Sequence, residues 1–226
     1  MSPDISVVIP ALNEAKSIGP AVASTQNSKG IECIVVDGGS QDNTPQVAQS
    51  SGATVLHSPP GRARQMNAGA EAARGEFLVF LHADTRLPGD FAHHVRRILT
   101  TPGKVAGAFE LKIDGSGLRL RIIERLANWR SRYLEMPYGD QAIFLRIKLF
   151  HQSGGFPELP IMEDFQLVRQ LRRQGQIVIA PAAALTSPRR WQEVGSWQVT
   201  LINQAVILGF LLGVDPVRLA RWYGQK

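Results

Sequence analysis

The sequence has a single cysteine, Cys33, among 226 residues, and it lacks the features of a signal peptide. One cysteine excludes an internal disulfide, and its apolar setting, IECIVV, favours a buried position in a reducing compartment. A signal peptide needs a basic start, a long apolar stretch and a small-residue cleavage site, whereas Met1 is followed by SPD and the strand-like run ISVVIP. We therefore expect a cytoplasmic protein.

The sequence also lacks any concentrated run of basic residues. Its 25 Lys and Arg against 19 Asp and Glu give a net charge of +6, a bias that suits phosphates, nucleic acid or an anionic membrane surface. No basic run interleaved with aromatic residues and no Cys/His finger spacing occurs, so we expect no nucleic-acid partner. Because repeats, low-complexity segments and flexible linkers are absent as well, residues 1–226 are predicted to form one domain.

Short apolar runs alternate with helix-like segments through the first half of the chain. The predicted strands are residues 5–10, 31–36, 53–57 and 76–81, and the predicted helices are residues 14–28, 44–51 and 62–74. The second half is less regular, with helices predicted at 88–99, 118–132 and 163–174 and strands at 105–113, 141–145 and 176–180. This alternation predicts an α/β fold with a mostly parallel central sheet flanked by helices.

The C-terminal region contains a long stretch without charge, residues 194–214. Its length approaches that of a membrane span, but polar residues such as Asn203 and Gln204 crowd its first half. Three interpretations remain open: a span, a helix that lies on a membrane or on a partner such as a second copy, and an ordinary packed helix. We predict a helical segment over about residues 194–226, with a peripheral place at the inner membrane face as the alternative to a freely cytoplasmic one.

Polar residues follow the first two predicted strands. PALNEA, which contains Pro10, Asn13 and Glu14, follows the first, and DGGSQD, which begins with Asp37, follows the second. The glycines allow a tight turn, and Asp37 could accept hydrogen bonds from ribose hydroxyls or a base, although it could also serve only as a turn residue. No GxGxxG follows the first strand, which argues against a dinucleotide-binding fold.

Two further clusters follow the third and fourth strands. In GRARQMNAGA, Arg62 and Asn67 lie near a helix start that could face a pyrophosphate, or Arg62 could be a surface arginine. In FLHADT, Asp84 could hold a divalent cation and His82 could add an imidazole ligand or a hydrogen bond. A lone His-x-Asp pair is more often a turn, but the carboxyl ends of parallel strands meet at one edge of a sheet, where ligands bind.

Candidates for the reaction come from the second half of the chain. Asp140 lies in YGDQ before a predicted strand, and Glu163 and Asp164 open a predicted helix. Capping of that helix would explain both acidic residues, because the helix dipole favours carboxylates in the first turn. Alternatively, one of the two takes a proton from an attacking hydroxyl.

Together these motifs resemble the GT-A glycosyltransferases of family 2, in particular a small bacterial group with HAD in place of the metal motif DxD. The resemblance runs through VVIPALNEA, DGGSQDNT, GRARQMNAGA, FLHADT, GDQAIFLR, MEDFQLVRQLRRQG and SPRRW. It covers nearly the whole chain. It implies a GT-A fold and an inverting, metal-dependent transfer of a sugar from a nucleotide diphosphate sugar, with a UDP sugar favoured, to a hydroxyl acceptor that a lipid could provide.

The resemblance also assigns roles to individual residues. It implies Asp164 as catalytic base with assistance from Arg190, and Asp84 with His82 as ligands of Mg²⁺ or Mn²⁺. The residues implied to bind the donor are Pro10, Asn13, Glu14, Asp37, Arg62, Asn67, Asp140, Arg189 and Trp191. Two departures from the family pattern are His82, which replaces a carboxylate, and Ser187, which replaces the Gln of QxxRW. Both argue against a processive polysaccharide synthase.

Two other functions remain as alternatives. A nonenzymatic nucleotide-sugar-binding protein or membrane-associated scaffold would keep the fold without turnover, and His82 would then reflect lost metal chemistry. A nucleotidyltransferase is the second alternative, but such enzymes grip a triphosphate with a glycine-rich basic loop after the first strand, and PALNEA has no glycine and one negative charge.

Overall fold

A computed structural model of the chain describes residues 2–224, apart from the side chain of Ser196. Its strands are β1 (Ile5–Ala11), β2 (Ile31–Asp37), β3 (Thr54–His57), β4 (Phe77–Phe80), β5 (Thr85–Arg86), β6 (Lys104–Ile113), β7 (Phe144–Arg146) and β8 (Gln176–Thr186). Its α-helices are α1 (Ile18–Thr25), α2 (Thr44–Ser50), α3 (Arg62–Ala72), α4 (Phe91–Leu99), α5 (Leu118–Leu134), α6 (Ile147–Gln152), α7 (Glu163–Leu171), α8 (Arg189–Val194), α9 (Ser196–Leu211) and α10 (Pro216–Tyr223). A short 3-10 helix, Gly139–Gln141, precedes β7.

The strands form one sheet in the order β3-β2-β1-β4-β7-β6-β8-β5. The neighbours among β3, β2, β1 and β4 are parallel, as the alternation in the first half predicts. Strand β6 is parallel to β8, whereas β7 is antiparallel to both β4 and β6, and β5 is antiparallel to β8. Within residues 2–224 the sheet is therefore mixed, with four of its seven strand pairings parallel. The direction of β7 depends on its pairing with two distant strands, and a local run of apolar residues carries no information about that direction.

The centre of the sheet is buried on both faces. Every residue of β1 and β4 is buried, which explains why both strands read as continuous apolar runs. One face packs against α1, α2 and α4, and the other packs against α3, α6, α7, α9 and α10. Glycine is a weak helix former, but Gly69 in α3 has a packing reason. A Cβ at this position would lie 2.3 Å from Cγ1 of Val8. Helix α3 can therefore approach β1 closely, which brings its N-terminus near the strand ends.

Several element boundaries differ from the prediction for identifiable reasons. Helix α1 begins at Ile18 rather than near residue 14, because Asn13 has a left-handed φ of 56° and the N–H of Glu14 donates to Oγ1 of Thr44. Helix α2 begins at Thr44, as predicted, and Asn43 occupies the position before it. The strand predicted at 141–145 begins only at Phe144, after the 3-10 helix. Strand β5 and helices α6 and α8 were not predicted.

Helix α9 lies entirely within the uncharged stretch near the C-terminus, and α10 packs against it. The side chain of Asp215 caps α10 by accepting a hydrogen bond from the N–H of Val217 at 2.9 Å. Within residues 2–224, no helix combines the length and the apolar character needed to cross a membrane.

Candidate active site

An open cleft of about 730 Å³ lies at the carboxyl ends of β1 and β4. Its walls come from the start of α3, the 3-10 helix, the start of α7 and the three C-terminal helices. The predicted site residues that line it are Pro10, Glu14, Arg62, His82, Asp84, Asp140, Glu163, Asp164, Arg189, Arg190 and Trp191. The structure thus brings together most of the residues that the sequence singled out, although they come from elements far apart in the chain.

Asp84 presents a carboxylate to the cleft just beyond the end of β4. Burial raises the pKa of Asp84, and the negative charge of Glu14 adds to the rise while Arg189 opposes it. The backbone carbonyl of Asp84 accepts a hydrogen bond from the N–H of Ser187 at 3.0 Å, which holds this turn against the segment before α8. The carboxylate is therefore held in place by the backbone while its oxygens remain available to a ligand.

His82 lies deeper, against the 3-10 helix. Burial and the nearby charge of Arg62 lower the pKa of His82 to about 3, so its imidazole is neutral at neutral pH. A Cβ on Gly139 would lie 2.6 Å from Nε2 of His82, and only glycine therefore allows this close approach. Sequence reasoning did not single out Gly139. The only signal for it in the sequence was its place next to Asp140 in YGDQ.

Asp164 is held by backbone donors on both sides. Its Oδ2 accepts a hydrogen bond from the N–H of Gly139 at 2.7 Å, and its Oδ1 accepts one from its neighbour Phe165 at 2.7 Å. These two hydrogen bonds fix the orientation of the carboxylate. Met162, with a left-handed φ of 72°, turns the chain immediately before α7 so that the acidic pair reaches the cleft.

Glu163 differs from its neighbour Asp164 in that its side chain is almost completely buried. It is 2% exposed, and its Oε1 lies 3.4 Å from Nη1 of Arg62. Burial raises the pKa of Glu163, the charge of Arg62 opposes the rise, and Asp164 adds to it. The residue pattern alone did not distinguish the two carboxylates, although the family resemblance implied Asp164. In the structure both line the cleft, and Glu163 is the buried partner of Arg62.

Asp140 has an unusual environment for a carboxylate. Its Oδ1 is sequestered from solvent and has no hydrogen-bond partner among the described residues. Burial raises the pKa of Asp140 to about 6, with repulsion from Asp164 and Asp84 adding to the rise and the attraction of Arg130 opposing it. Buried polar atoms are nearly always paired, so this oxygen fits a site that awaits a hydrogen-bond donor or a cation.

The start of α8 contributes the cationic wall of the cleft. Arg189 forms an ion pair with Glu14, with N···O distances of 2.5 and 3.1 Å, and its Nη2 lies 3.9 Å from Oδ2 of Asp84. The guanidinium of Arg190 lies 3.6 Å from the centre of the Tyr223 ring, a stacking contact that joins α8 to α10. Trp191 packs against the apolar residues between β6 and α5.

Of the described residues that the sequence singled out, Asn13, Asp37 and Asn67 do not line the cleft. The amide of Asn67 exchanges two hydrogen bonds with the backbone of Phe156, at 2.8 and 2.9 Å, and so joins α3 to the loop before α7. Asn13 is exposed, and its amide oxygen accepts a hydrogen bond from the N–H of Gln41 at 2.8 Å. It ties the loop after β1 to the loop after β2.

Asp37 is 2% exposed at the end of β2 and works as a turn residue. Its Oδ2 accepts hydrogen bonds from the N–H groups of Gly39 and Ser40 at 3.0 and 3.1 Å. Burial alone would raise the pKa of Asp37, but these hydrogen bonds and those with the Ser40 hydroxyl outweigh it and lower the pKa. The turn interpretation that the sequence left open therefore describes the observed contacts.

The cleft also offers donors for a divalent cation. Among the described residues, no three His, Cys, Asp or Glu side chains come together as a complete metal site. Mg²⁺ and similar hard cations are often held by one or two carboxylates together with substrate phosphates and water. The carboxylate of Asp84 and the unpartnered oxygen of Asp140 fit this kind of partial donor set, in which a bound diphosphate completes the coordination.

Comparison with known proteins gives a consistent result. A family model described as glycosyl transferase family 2 matches residues 6–156. An uncharacterized glycosyltransferase of Rickettsia felis is 28% identical in an alignment of 222 positions, which covers 89% of this chain and 36% of the relative. The chain thus spans about a third of the length of the curated relatives that it matches over most of its own length.

Two solved structures share the fold. The mannosyltransferase PcManGT of Pyrobaculum calidifontis, in complex with GDP-Man and Mn²⁺, has a TM-score of 0.71 at 19% identity, over 91% of this chain and 63% of that one. The glucosyl-3-phosphoglycerate synthase of Mycobacterium tuberculosis, in complex with Mn²⁺, UDP and glucosyl-3-phosphoglycerate, has a TM-score of 0.61 at 23% identity, over 89% of this chain and 79% of that one. At these identities the likeness concerns the fold.

Proposed function

The chain belongs to glycosyl transferase family 2, and we propose that it transfers a sugar, with inversion, from a nucleotide diphosphate sugar to a hydroxyl acceptor. The GT-A fold that the sequence resemblance implies is confirmed by the structural neighbours. The observation that carries the proposal is the position of the Asp164 carboxylate. It lies in one cleft with Asp84 and Arg189, and backbone N–H groups orient it.

The proposed base acts on the acceptor. Asp164 takes the proton of the acceptor hydroxyl, whose oxygen forms a bond to the anomeric carbon while the bond from that carbon to the diphosphate oxygen breaks. Attack from the side opposite the diphosphate inverts the anomeric centre, so no covalent glycosyl enzyme forms. Glu163 is the weaker candidate because it is buried against Arg62.

The remaining residues of the cleft serve the donor. Arg189 exchanges its ion pair with Glu14 for the diphosphate, and Arg190, held against Tyr223, adds a second positive charge. The unpartnered oxygen of Asp140 accepts a hydrogen bond from a hydroxyl group of the nucleotide sugar. Asp84, with or without His82, would hold Mg²⁺ or Mn²⁺, and the cation would supply positive charge to the departing diphosphate.

The donor class follows from the same considerations. The two structural neighbours contain GDP-Man and UDP, each with Mn²⁺, so a nucleoside diphosphate with a divalent cation is the shared chemistry. A UDP sugar remains the favoured donor. A panel of UDP, GDP and dTDP sugars, measured for binding with and without Mn²⁺, tests donor class and metal dependence together.

The base assignment is tested by Asp164→Asn. We expect it to reduce hydrolysis or transfer of the preferred donor by at least about a hundredfold, because general base catalysis contributes about 10²–10⁴ in rate. Donor affinity should change little, since the amide still accepts the bond from Gly139. Asp114→Asn, at an exposed ion pair with Arg86 outside the cleft, is the matched control.

Three results would argue against parts of this proposal. Turnover retained in Asp164→Asn would exclude Asp164 as base. Donor binding by the wild-type protein without hydrolysis or transfer to any acceptor would favour the nonenzymatic binding protein. Release of pyrophosphate from a nucleoside triphosphate would favour the nucleotidyltransferase.

A further inference from the structure

Helix α5 exposes an apolar stripe on the side that faces away from the sheet. Its inner side packs Leu120 and Ile123 against β6. The outer side carries residues spaced by three or four, which places them on one face of the helix. This α5 stripe consists of Leu118 (73% exposed), the half-buried Ile122, Leu126 (55%), Trp129 (56%) and Tyr133 (68%). Exposed contiguous apolar surface of this kind marks an interaction site.

The α5 stripe is bordered by positive charge. The helix contains five arginines and one acidic residue, Glu124, which is buried and accepts a hydrogen bond from the N–H of Ile113. At 3.6 residues per turn, Arg119 lies along one edge of the stripe and Arg125 along the other. Both are exposed, and neither forms an ion pair with any residue between Ser2 and Gly224.

The neighbouring C-terminal helices repeat this composition. Helix α9 contacts α5 and exposes Trp197, Leu201 and Leu208, again at helical spacing, while its inner residues Val199 and Val206 line the cleft. Exposed Arg218, Arg221 and Trp222 follow on α10. Exposed apolar and aromatic side chains therefore occur beside arginines on α10 as well as on α5. Within residues 2–224, Arg218 and Arg221 form no ion pair with an acidic residue.

We propose that the α5 stripe, together with the exposed side of α9, binds the surface of an anionic lipid membrane. Leucine side chains, Trp and Tyr at an apolar–polar boundary and flanking arginines are the composition of helices that lie in the membrane interface. A second copy of the chain fits less well. A two-fold contact through α5 would bring the same unpaired arginines of both copies together, whereas anionic head groups neutralise them.

Vesicle binding tests this proposal. The full chain is sedimented with vesicles of phosphatidylcholine alone and of phosphatidylcholine with roughly 30% phosphatidylglycerol. We expect binding to the anionic vesicles and little to the neutral ones. Arg119→Gln with Arg125→Gln should weaken binding by about 30-fold, because each arginine near an anionic surface contributes about a fivefold factor. Trp129→Ser should weaken it as well.

The matched control is Lys29→Gln with Arg97→Gln. It removes the same charge from exposed positions on the side of the molecule where α4 packs, and it should retain binding. If the control variant lost as much vesicle binding, net charge alone would explain the loss and the assignment to α5 would be overturned. Absence of binding to anionic vesicles would overturn it as well. A dimer in light scattering that Trp129→Ser dissociates would assign the stripe to a second copy. Hydrolysis of a soluble donor should be unchanged in all these variants, and circular dichroism confirms that they fold.

Discussion

At the level of single residues, Gly139 connects the two halves of the candidate chemistry. The position has no room for a side chain, since a Cβ would lie 2.6 Å from His82 and 3.3 Å from Oδ2 of Asp164. Its N–H donates to that same Oδ2 at 2.7 Å. One glycine therefore keeps the HAD segment and the proposed base in contact, which neither motif suggests when it is considered alone.

The burial of Asp140, a candidate site residue, has a cost in stability that depends on pH. Burial is the main cause that raises the pKa of Asp140 to about 6 in the folded state, from 3.8 for an aspartate free in solution. Between these values the folded state binds more protons than the unfolded state, so stability falls as the pH rises toward about 6 and stays reduced above it. The ionised carboxylate is tolerated because a ligand in the cleft can satisfy its unpartnered oxygen.

We predict that Asp140→Asn raises stability at neutral pH and lowers activity. Removal of the ionisation cost should add up to about 3 kcal/mol to the free energy of unfolding near pH 8 and little near pH 4, which urea denaturation at both values would measure. Asp114→Asn, in the exposed pair with Arg86, should change neither. If Asp140→Asn and the wild type had the same free energy of unfolding near pH 8, ionisation of Asp140 would not destabilise the folded state.

At the level of elements, the pattern of apolar runs predicted the strands that matter for the site. Strands β1 and β4 are buried on both faces, and parallel strands end at a common edge, so Glu14 and Asp84 were expected there and line the cleft. What the pattern could not supply is the direction of β7 and the path of the loop between α6 and α7. The contact of Asn67 was missed for this reason, because its partner Phe156 lies in that loop.

We predict that Asn67→Ala lowers stability and leaves nucleotide binding nearly unchanged. The substitution removes two hydrogen bonds to the buried Phe156 backbone, and an unsatisfied buried group costs about 1–3 kcal/mol. Urea denaturation and UDP affinity are the two measurements, and Asn27→Ala at an exposed position is the control. A large loss of UDP affinity at unchanged stability would restore the role beside the pyrophosphate that the sequence predicted.

At the level of the whole molecule, the cleft joins segments from both ends of the chain. The ion pair between Glu14 and Arg189 links residues that are 175 positions apart, and Arg189 lies 3.9 Å from Asp84. The guanidinium of Arg189 therefore lies beside two carboxylates. A cation and a diphosphate bring the opposite charges to the same place, so their binding should depend on each other.

We predict that UDP and Mn²⁺ together stabilise the protein more than the sum of either alone. At about a hundredfold excess over its Kd, a ligand stabilises by about 2.7 kcal/mol, which corresponds to a rise in Tm of roughly 5–10 °C for a chain of this size. Asp84→Ala should lose the part of the rise that requires Mn²⁺ and keep the part due to UDP alone, because its carboxylate is the proposed metal ligand. Differential scanning fluorimetry measures the Tm of each protein without ligand, with UDP, with Mn²⁺ and with both.

The comparison is made between shifts rather than between Tm values, because Asp84→Ala also removes repulsion from Glu14 and can stabilise the unliganded protein. Asp114→Ala serves as the control for loss of one carboxylate from an exposed ion pair outside the cleft. If the Mn²⁺-dependent shift in Asp84→Ala equalled that of the control, the cation would be held elsewhere. Asp140→Ala would then be the next variant to measure, since the unpartnered oxygen of Asp140 is the other carboxylate donor that the cleft offers.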